Sequence, residues 1–510
     1  MDADAPRPGT IRWAGFAAAG LLALAGALGG AHPGGNVASS PVTVATSPYG
    51  PLVLVAWLLG TAGLVWAWWT LRDRVPSARW AVGTALLWAV PFLVVPPMGS
   101  RDVFSYACQG HLFANGLSPY TFGVDTLPCP WVEAVSPIWR DTPAPYGPLF
   151  VLAAAAAVAL GGSLTGVILL LRLLAVVALA VTALALPPLA RRCGVPVGRA
   201  LWVALAGPLI GVHLVGGPHN DALMIAAVVG AMAVLVIGRP PVDNSAELSG
   251  GRATFLPTHK GGGGGGNVGA RILILAGVLL GLAVAIKVTA IVALPFVALL
   301  AVPRPLRFGS AARALALIGG VAAAAMAAVT AATGLGLGWL SGMTHTGDLI
   351  QFTSPPTAVG MTTTYLGRLF WADFDAVPAV RLIAILILGL LVLWLWVRAL
   401  RSDEPVRAAL RGAAFASAAM IALAPSFHPW YVMFPLILLA VTTTRTELVM
   451  AATGVAAFLV LPDGGGLARY VKFPGAPIAT IVIGYLIYRH RPRPGKTQAA
   501  AAELELSRGS

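Results

Sequence analysis

The side chains best able to do chemistry stand where long apolar segments end. The stretch MGSRDVFSYACQGHLFANGLSPY, residues 98–120, sets Arg101 and Asp102 directly after an apolar run. A Pro-Pro pair and a glycine precede them, which predicts that a helix ends at the membrane surface. The carboxylate of Asp102 then projects into the following loop. A solvated loop carboxylate is one interpretation of Asp102, and a carboxylate in a functional site is the other.

Two cations lie inside apolar runs. Lys287 interrupts the segment GLAVAIKVTAIVALP, and Arg172 interrupts GVILLLRLLAVV. A charge within a membrane is costly, so an intramembrane cation is by default a functional-site hypothesis. For Lys287 the alternative is snorkelling of the amine to the lipid headgroups. For Arg172 the alternative is that it neutralises a carboxylate on a neighbouring helix.

A polar triplet begins another predicted span. His219, Asn220 and Asp221 follow one another in GGPHNDALM, just before a long apolar run. Such residues at the head of a helix can serve as its N-terminal cap, which is the structural interpretation. The functional interpretation is that they reach the same membrane face as Asp102.

A histidine and two aromatic residues stand between two further spans. His428, Trp430 and Tyr431 lie in APSFHPWYVMFPL. Aromatic belts at the membrane surface account for the Trp and the Tyr without any further function. Taken with the preceding groups, however, carboxylates, cations and histidines gather on one face of the membrane, and they do not line a path across it.

Several chemistries have no support in the sequence. No GxxxxGK[ST] motif is present, and the glycine run at 261–266 lacks the strand and helix that a phosphate-binding loop needs. No HExxH motif occurs, and Cys108, Cys129 and Cys193 lack the spacing of a zinc site. Cys108 and Cys129 share a predicted outer loop, where oxidation is permitted, so we expect a disulfide between them.

The elements that must position these residues are membrane helices. Of the 510 residues, 58% are hydrophobic and 10% charged, with a mean hydropathy of +0.83, which predicts an all-α polytopic membrane protein. The first apolar run lacks the basic leader and cleavage pattern of a signal peptide, so we interpret it as a retained helix. About fourteen spans are predicted, at 11–31, 51–70, 80–97, 165–190, 200–216, 220–238, 271–286, 288–302, 314–334, 379–397, 412–427, 428–442, 448–462 and 473–488.

Charge sets the predicted orientation. The net charge of +14 arises from basic residues clustered in alternate loops, which predicts that both termini are inside. Anionic membrane lipids account for this excess, so no nucleic-acid partner is expected. The apolar run Gly147–Gly161 is short, and counting it as a span would put Arg191 and Arg192 outside. We therefore interpret it as interfacial or re-entrant.

The predicted spans divide the chain into six segments. The long loop that holds Asp102 should begin with a short amphipathic helix lying along the membrane interface. The segments are N-terminal helices in 1–97, a first large outer loop in 98–147, helices in 148–238, a disordered Gly-rich inner linker in 239–270, helices in 271–488 with an outer loop at 335–378, and a basic inner tail in 489–510.

Five short motifs together resemble a known enzyme family. GSRDVFSYACQG with GLSPY, PAPYGPLF at 143–150, GGPHNDALM at 216–224, the IKVTA segment and SFHPWY are similar to the actinobacterial α-1,6-mannosyltransferases that use polyprenol-phosphate mannose. The resemblance covers about residues 90–440. It implies a GT-C glycosyltransferase fold in the plasma membrane, with the active site on the extracytoplasmic side. Three predicted spans precede the catalytic loop here, two more than in the usual GT-C layout.

The resemblance also implies substrates and residue roles. The donor would be polyprenyl-phosphate mannose, and the acceptor would be a lipid-anchored α-1,6-mannan. Membrane lipids would surround the protein. The transfer would invert the sugar linkage, with Asp102 as general base. A donor with one phosphate is expected to need no cofactor and no divalent metal. The other expected site residues are Lys287, His219, Arg101 and Arg368 at the donor phosphate, and Tyr106, Asp141, Asn220, Asp221, His428, Trp430 and Tyr431 at the sugars.

Two alternatives stay open. Another sugar, such as arabinose, could be carried on the same kind of lipid phosphate, and nothing in the sequence excludes it. A lipid flippase or solute transporter also needs many helices and buried charges. A transporter should place ionisable groups at the middle of the membrane on broken helices. The groups here are predicted near the outer helix ends, which favours the enzyme.

Overall fold

The computed structural model describes residues 6–35, 40–239, 268–302, 307–340, 342, 350–466 and 472–490. Within these ranges the chain is helical, apart from turns, loops and one isolated bridge between Val460 and Gly466. Residues 240–267 of the predicted linker and 491–510 of the predicted tail lie outside the described residues.

Eighteen α-helices are described, and several of the segments between them are short 3₁₀ or π helices. The first nine are α1 Pro8–Gly29, α2 Pro41–Ala45, α3 Gly50–Leu71, α4 Ala78–Val94, α5 Asp102–Ala114, α6 Pro148–Gly161, α7 Leu164–Arg192, α8 Val197–Leu205 and α9 Asp221–Ile237. The others are α10 Ala270–Ile286, α11 Leu294–Ala301, α12 Phe308–Thr333, α13 Pro355–Gly367, α14 Val377–Leu400, α15 Pro405–Leu423, α16 Met433–Thr442, α17 Glu447–Ala457 and α18 Lys472–His490.

The chain is a multi-pass membrane protein, as predicted. Among the described residues, six helices are long and apolar enough to cross a membrane individually: α1, α3, α7, α12, α14 and α15. A seventh span can be formed by α8 and the π-helical turn Ile210–Gly216, which are bent by 63°. Pro208 lies in the break, where it removes a backbone donor. The other predicted spans correspond to shorter helices or, at 473–488, to the 19-residue α18, which is kinked at Phe473. Fourteen complete crossings therefore stay a prediction.

Several predicted boundaries are wrong by five residues or more, and α12, predicted to begin at 314, begins at Phe308. The span predicted at 412–427 is α15, which begins at Pro405, because proline is well suited to the first position of a helix. The span predicted at 448–462 is α17, which ends at Ala457. The short run at 147–161 forms α6, whose 14 residues measure about 21 Å at 1.5 Å per residue. That length is below the thickness of a bilayer core, and its interfacial or re-entrant character stays a prediction.

Burial separates the inner helices from the helices that face lipid. All ten residues of α16 are buried, as are most residues of α9. By contrast, α14 exposes leucine and isoleucine side chains along much of its length. In a membrane these apolar side chains meet lipid, so the molecule has α9 and α16 near its centre and α14 at its edge.

The helix α5 confirms that a short helix follows Arg101. Nine of its 13 residues are buried, the polar Ser105 and Gln109 among them, and its place along the membrane interface stays a prediction. It packs against α6, and a side chain at Gly110 would lie only 2.5 Å from the backbone of Ala154. A disulfide joins Cys108 in α5 to Cys129 in the loop that follows, which confirms the predicted pairing. The loop is thereby held against the helix that begins with Asp102.

Candidate active site

Asp102 is the first residue of α5 and stands at the border between a buried cluster and an open cavity. Its side chain is 20% exposed, and its Oδ2 lies 3.6 Å from Nδ1 of His219. Its backbone N–H donates to Oγ of Ser100 over 3.0 Å. The carboxylate also lines a cavity of about 430 Å³, together with Arg101, His428 and others. Asp102 can therefore contact groups on both sides of this border.

The surroundings make Asp102 more basic than an ordinary aspartate. Burial raises the pKa of its carboxyl to about 6. A hydrogen bond between the carboxyl itself and the Ser100 side chain, and the positive charge of Lys287, offset part of this rise. The negative charge of Asp221 acts in the same direction as burial. The group is then largely ionised at neutral pH, and its pKa is closer to that pH, as suits a general base.

His219 joins Asp102 to the aromatic part of the site. Its Nδ1 lies 3.4 Å from the hydroxyl of Tyr106, and its ring stacks on Trp430 with centroids 4.1 Å apart. Burial lowers the pKa of His219 well below its usual value, so the imidazole is neutral. Its Nε2 is buried and has no hydrogen-bond partner among the described residues. The predicted contact of His219 with a donor phosphate would therefore be a neutral hydrogen bond and not an ion pair.

Trp430 connects the two histidines selected from the sequence. The ring of His428 stacks on Trp430 with centroids 4.7 Å apart. The same His428 ring also meets Tyr431 edge to face, with centroids 5.2 Å apart. His428 and Trp430 line the same cavity as Asp102. Aromatic belts alone do not account for this arrangement, because Trp430 is buried between polar rings and not directed at lipid.

Lys287 and Asp221 form a buried ion pair. Nζ of Lys287 lies 2.8 Å from both carboxylate oxygens of Asp221, and 4.5 Å from the ring centroid of Tyr431. Lys287 sits in extended backbone just after α10, and Asp221 is the first residue of α9. The snorkelling alternative does not hold, because the amine is directed into the protein. A donor phosphate would have to share this amine with Asp221.

Asn220 is buried without a hydrogen-bond partner for its side chain. It occupies the position before α9, but its side chain makes no capping bond. Both amide atoms are buried and unpaired among the described residues. Buried polar groups are nearly always paired, so such an amide is typical of a position that meets a ligand or water. The capping interpretation therefore does not apply to Asn220.

Tyr106 is closely enclosed. Its ring meets Tyr146 and Phe150 edge to face, with centroids 5.1 and 4.7 Å away, and only its hydroxyl reaches His219. The predicted stacking of Tyr106 on a sugar is not tested by this packing and stays a prediction. Tyr146 was not selected from the sequence, although it lies in the motif PAPYGPLF.

Of three other predicted site residues, Arg101 lies at the site, whereas Asp141 and Arg368 are not brought into contact with it. Arg101 lines the cavity beside Asp102 and donates through Nη1 to the carbonyl oxygens of His32 and Ala134, over 3.2 and 3.0 Å. Asp141 is exposed on the loop, and the exposed Arg368 donates to the carbonyl oxygen of Phe374. Within the described part of the chain, no recorded contact joins Asp141 or Arg368 to the cluster around Asp102.

Arg172 holds together the two segments that carry Asp102 and His219. Arg172 lies in the N-terminal half of α7, and its guanidinium donates to the carbonyl oxygens of Leu93, Val95 and Gly216 over 2.8, 2.6 and 2.8 Å. These carbonyls lie where α4 and the π-helical turn end, and helix ends leave such acceptors unpaired. No carboxylate lies at salt-bridge distance among the described residues, so the predicted neutralising role is wrong.

The two segments held by Arg172 also approach each other closely. Gly99 has a φ of +71°, and a side chain there would lie 2.9 Å from the ring of His213. A residue other than glycine would therefore be strained and would separate the segments.

Among the described residues, no group of three or more His, Cys, Asp or Glu side chains is arranged to hold a metal ion. That no divalent metal is required stays a prediction.

Comparisons with known proteins point to one family. A family model described as "Alpha-(1->6)-mannopyranosyltransferase, N-terminal domain" matches residues 12–303, and one described as "MptB C-terminal domain" matches residues 356–489. The alpha-(1->6)-mannopyranosyltransferase A of Mycobacterium tuberculosis is 32% identical, over 88% of this chain and 84% of the relative. The protein of the same name from Corynebacterium glutamicum is 29% identical, over 84% and 86%. No solved structure matches the chain.

Proposed function

The chain belongs to the alpha-(1->6)-mannopyranosyltransferase family, and on this premise we propose that it transfers mannose from polyprenyl-phosphate mannose to an α-1,6-mannan acceptor. The observation that carries the proposal is the position of Asp102, between an open cavity and the buried Lys287–Asp221 pair. A lipid-linked donor and the water-exposed saccharide of an acceptor must meet at such a border. The relatives' names supply the sugar and the linkage.

Asp102 acts as the general base. Its carboxylate accepts the proton of the acceptor 6-hydroxyl while that oxygen attacks the anomeric carbon of the mannose. The bond from this carbon to the phosphate oxygen breaks on the opposite face, and the phosphate leaves with the electron pair. A β-linked donor thus gives an α-linked product. The pKa of Asp102, raised by burial to about 6, supports this role because the base is then strong but still ionised at neutral pH.

The leaving phosphate is stabilised by groups behind Asp102. Lys287 supplies the positive charge, and Asp221 holds its amine in place through two contacts of 2.8 Å. His219 and Asn220 offer buried polar atoms that have no partner among the described residues. Fixed charges and donors in a buried site stabilise developing negative charge better than the same groups in water.

The acceptor saccharide occupies the cavity in front of Asp102. Its lining combines the aromatic rings of Trp139 and Trp430 with the polar side chains of Gln351 and His428. Aromatic rings can cover the apolar faces of sugars, and the polar groups can bind their hydroxyls. Its volume of about 430 Å³ falls within the usual range of small-ligand sites.

The site faces the outside of the plasma membrane. Arg191 and Arg192 end α7, and Arg172, which supports the site, lies near its other end. Arg398 and Arg407 likewise lie at the opposite end of the α14–α15 hairpin from His428. Basic residues favour the cytoplasmic side, which supports an extracytoplasmic site.

The direct test is transfer by the purified protein. Polyprenyl-phosphate mannose and short α-1,6-mannosides should give products lengthened by α-1,6-linked mannose, and the rate should be unchanged by a chelator of divalent metals. Transfer of arabinose from its lipid phosphate, without transfer of mannose, would replace the proposed donor. Movement of the lipid across proteoliposomes with no glycosidic product would indicate a flippase. Activity lost in chelator and restored by magnesium or manganese would contradict the absence of a metal.

A further inference from the structure

A large groove opens at the end of the molecule opposite to Asp102. It has a volume of about 980 Å³ and lies between the C-terminal half of α14 and the N-terminal half of α15. From Pro405 to Leu423, α15 rises about 27 Å at 1.5 Å per residue, and His428 follows soon after. The groove is therefore separate from the proposed active site.

One end of the groove is strongly basic. Four arginines and one glutamate line it: Arg398, Arg401, Arg407, Arg411 and Glu404. Arg407 is paired with Glu404 at 2.7 Å and also donates to the carbonyl oxygen of Cys193. For the other three arginines, no carboxylate lies within salt-bridge distance in the part of the chain that the structure describes. These three arginines thus form no ion pair there, and the lining carries more positive than negative side chains.

Two of these arginines lie beside aromatic rings at the border of the apolar region. The guanidinium of Arg398 is 5.4 Å from the ring centroid of Trp394, and that of Arg411 is 5.9 Å from the ring centroid of Phe415. A tryptophan next to arginine is typical of the headgroup level of a membrane. This end of the groove therefore lies where lipid phosphates lie.

The other end of the groove is apolar and points along the two helices into the membrane. Leu391, Leu395, Phe415 and Ala419 line it. The groove thus presents unneutralised cations at headgroup level and an apolar wall at acyl-chain level. A soluble anion would match only the first feature, whereas a phospholipid matches both.

We propose that this groove binds one anionic phospholipid of the inner leaflet. Arg398 and Arg411 hold the phosphate, and the acyl chains lie against Leu391, Leu395 and Phe415. The charge of the lining selects an anionic headgroup over a zwitterionic one, because basic sites between helices on the cytoplasmic side attract anionic lipids. The proposal does not depend on which sugar the active site transfers.

The test compares lipids that differ only in headgroup charge. Purified full-length protein in neutral detergent is titrated with phosphatidylglycerol, with phosphatidylcholine of the same acyl chains, or with inorganic phosphate. We expect a saturable rise in melting temperature with phosphatidylglycerol alone, and retention of that lipid in native mass spectrometry. Equal shifts with phosphatidylcholine, or an equal shift with phosphate, would overturn the proposal.

A pair of variants assigns the binding to the groove. Arg398→Gln with Arg411→Gln should weaken phosphatidylglycerol binding by about tenfold or more, since both cations that hold the lipid phosphate are removed. The control is Arg74→Gln with Arg445→Gln, which removes the same charge from exposed positions at the same end of the molecule. The control should bind like the unaltered protein. If both pairs lose binding equally, the attraction is diffuse and no specific site exists.

Discussion

At the residue scale, the proposed chemistry depends most on Asp102. Asp102→Asn keeps the shape of the side chain and removes the base, so we expect the rate of transfer to fall by at least about 10². Binding of the donor should persist. The matched control is Asp141→Asn, because Asp141 is exposed and makes no recorded contact with the cluster in the described structure. Near-normal transfer by the Asp102 variant, with loss in the Asp141 variant, would move the base to Asp141.

The acidity of the same carboxyl predicts the pH dependence of the reaction. The base must be ionised, so kcat/KM should rise with pH through the pKa of Asp102, which burial raises to about 6, and then level off. His219 should not contribute to this limb, since burial keeps its pKa well below the usual range. Rates measured from pH 4.5 to 8 decide the matter. A plateau that already extends below pH 5 would contradict the assignment.

Two variants separate the contribution of the Lys287–Asp221 ion pair to stability from its contribution to donor binding. Lys287→Met leaves a buried carboxylate unpaired, which typically costs about 3–5 kcal/mol of stability. Adding Asp221→Leu removes that carboxylate, so the double variant should regain most of the lost melting temperature. We expect donor binding to stay weak in both variants, as measured by the KM for the donor. Recovery of donor binding together with stability would mean that the pair only supports the fold.

At the element scale, the site depends on the contacts that hold the end of α4 to the end of the π-helical turn Ile210–Gly216. Arg172 ties the segment before Asp102 to the segment before His219 through three carbonyl oxygens. Arg172→Gln should lower kcat more than it raises the KM for the donor, because it shifts the base relative to the other groups. Arg172→Lys keeps the charge with fewer donors and should recover part of the activity.

A purely stabilising role for Arg172 would have a different signature. The glutamine variant would then melt at a lower temperature, but its folded fraction would keep the normal kcat, and the lysine variant would change kcat no further. Rates normalised to folded protein, with melting measured on the same samples, separate the two outcomes.

The elements also show what the sequence can and cannot predict. Lys287, His219 and His428 were recognisable because each is a polar group beside an apolar run. The structure brings the two histidines onto Trp430 and Lys287 onto the neighbouring Tyr431. Their partners were not recognisable. The bond from Lys287 to Asp221 depends on the packing of α9 against α10, and Arg172 binds backbone carbonyls that become available only where helices break. Neither fact is visible in the spacing of side chains.

At the scale of the whole molecule, apolar runs predicted the order of the helices well, because each run is long compared with its boundary error. They predicted the crossings less well. Several runs form short or bent helices, such as α8 with the turn after it, whose packing against neighbours is decided by the fold and not by composition. The orientation of the molecule therefore depends on charge, and both proposed sites depend on that orientation.

Labelling of single cysteines tests this orientation for both sites at once. In a Cys193→Ser background, Asp141→Cys reports on the loop beside the active site, and Arg401→Cys reports on the end with the basic groove. Both positions are exposed, and Cys108 and Cys129 are joined in a disulfide and do not react. Because basic residues favour the cytoplasm, a membrane-impermeant maleimide should label the first variant in intact cells and the second only after permeabilisation. The reverse pattern would place the acceptor cavity in the cytoplasm and would contradict both the extracytoplasmic site and the inner-leaflet lipid.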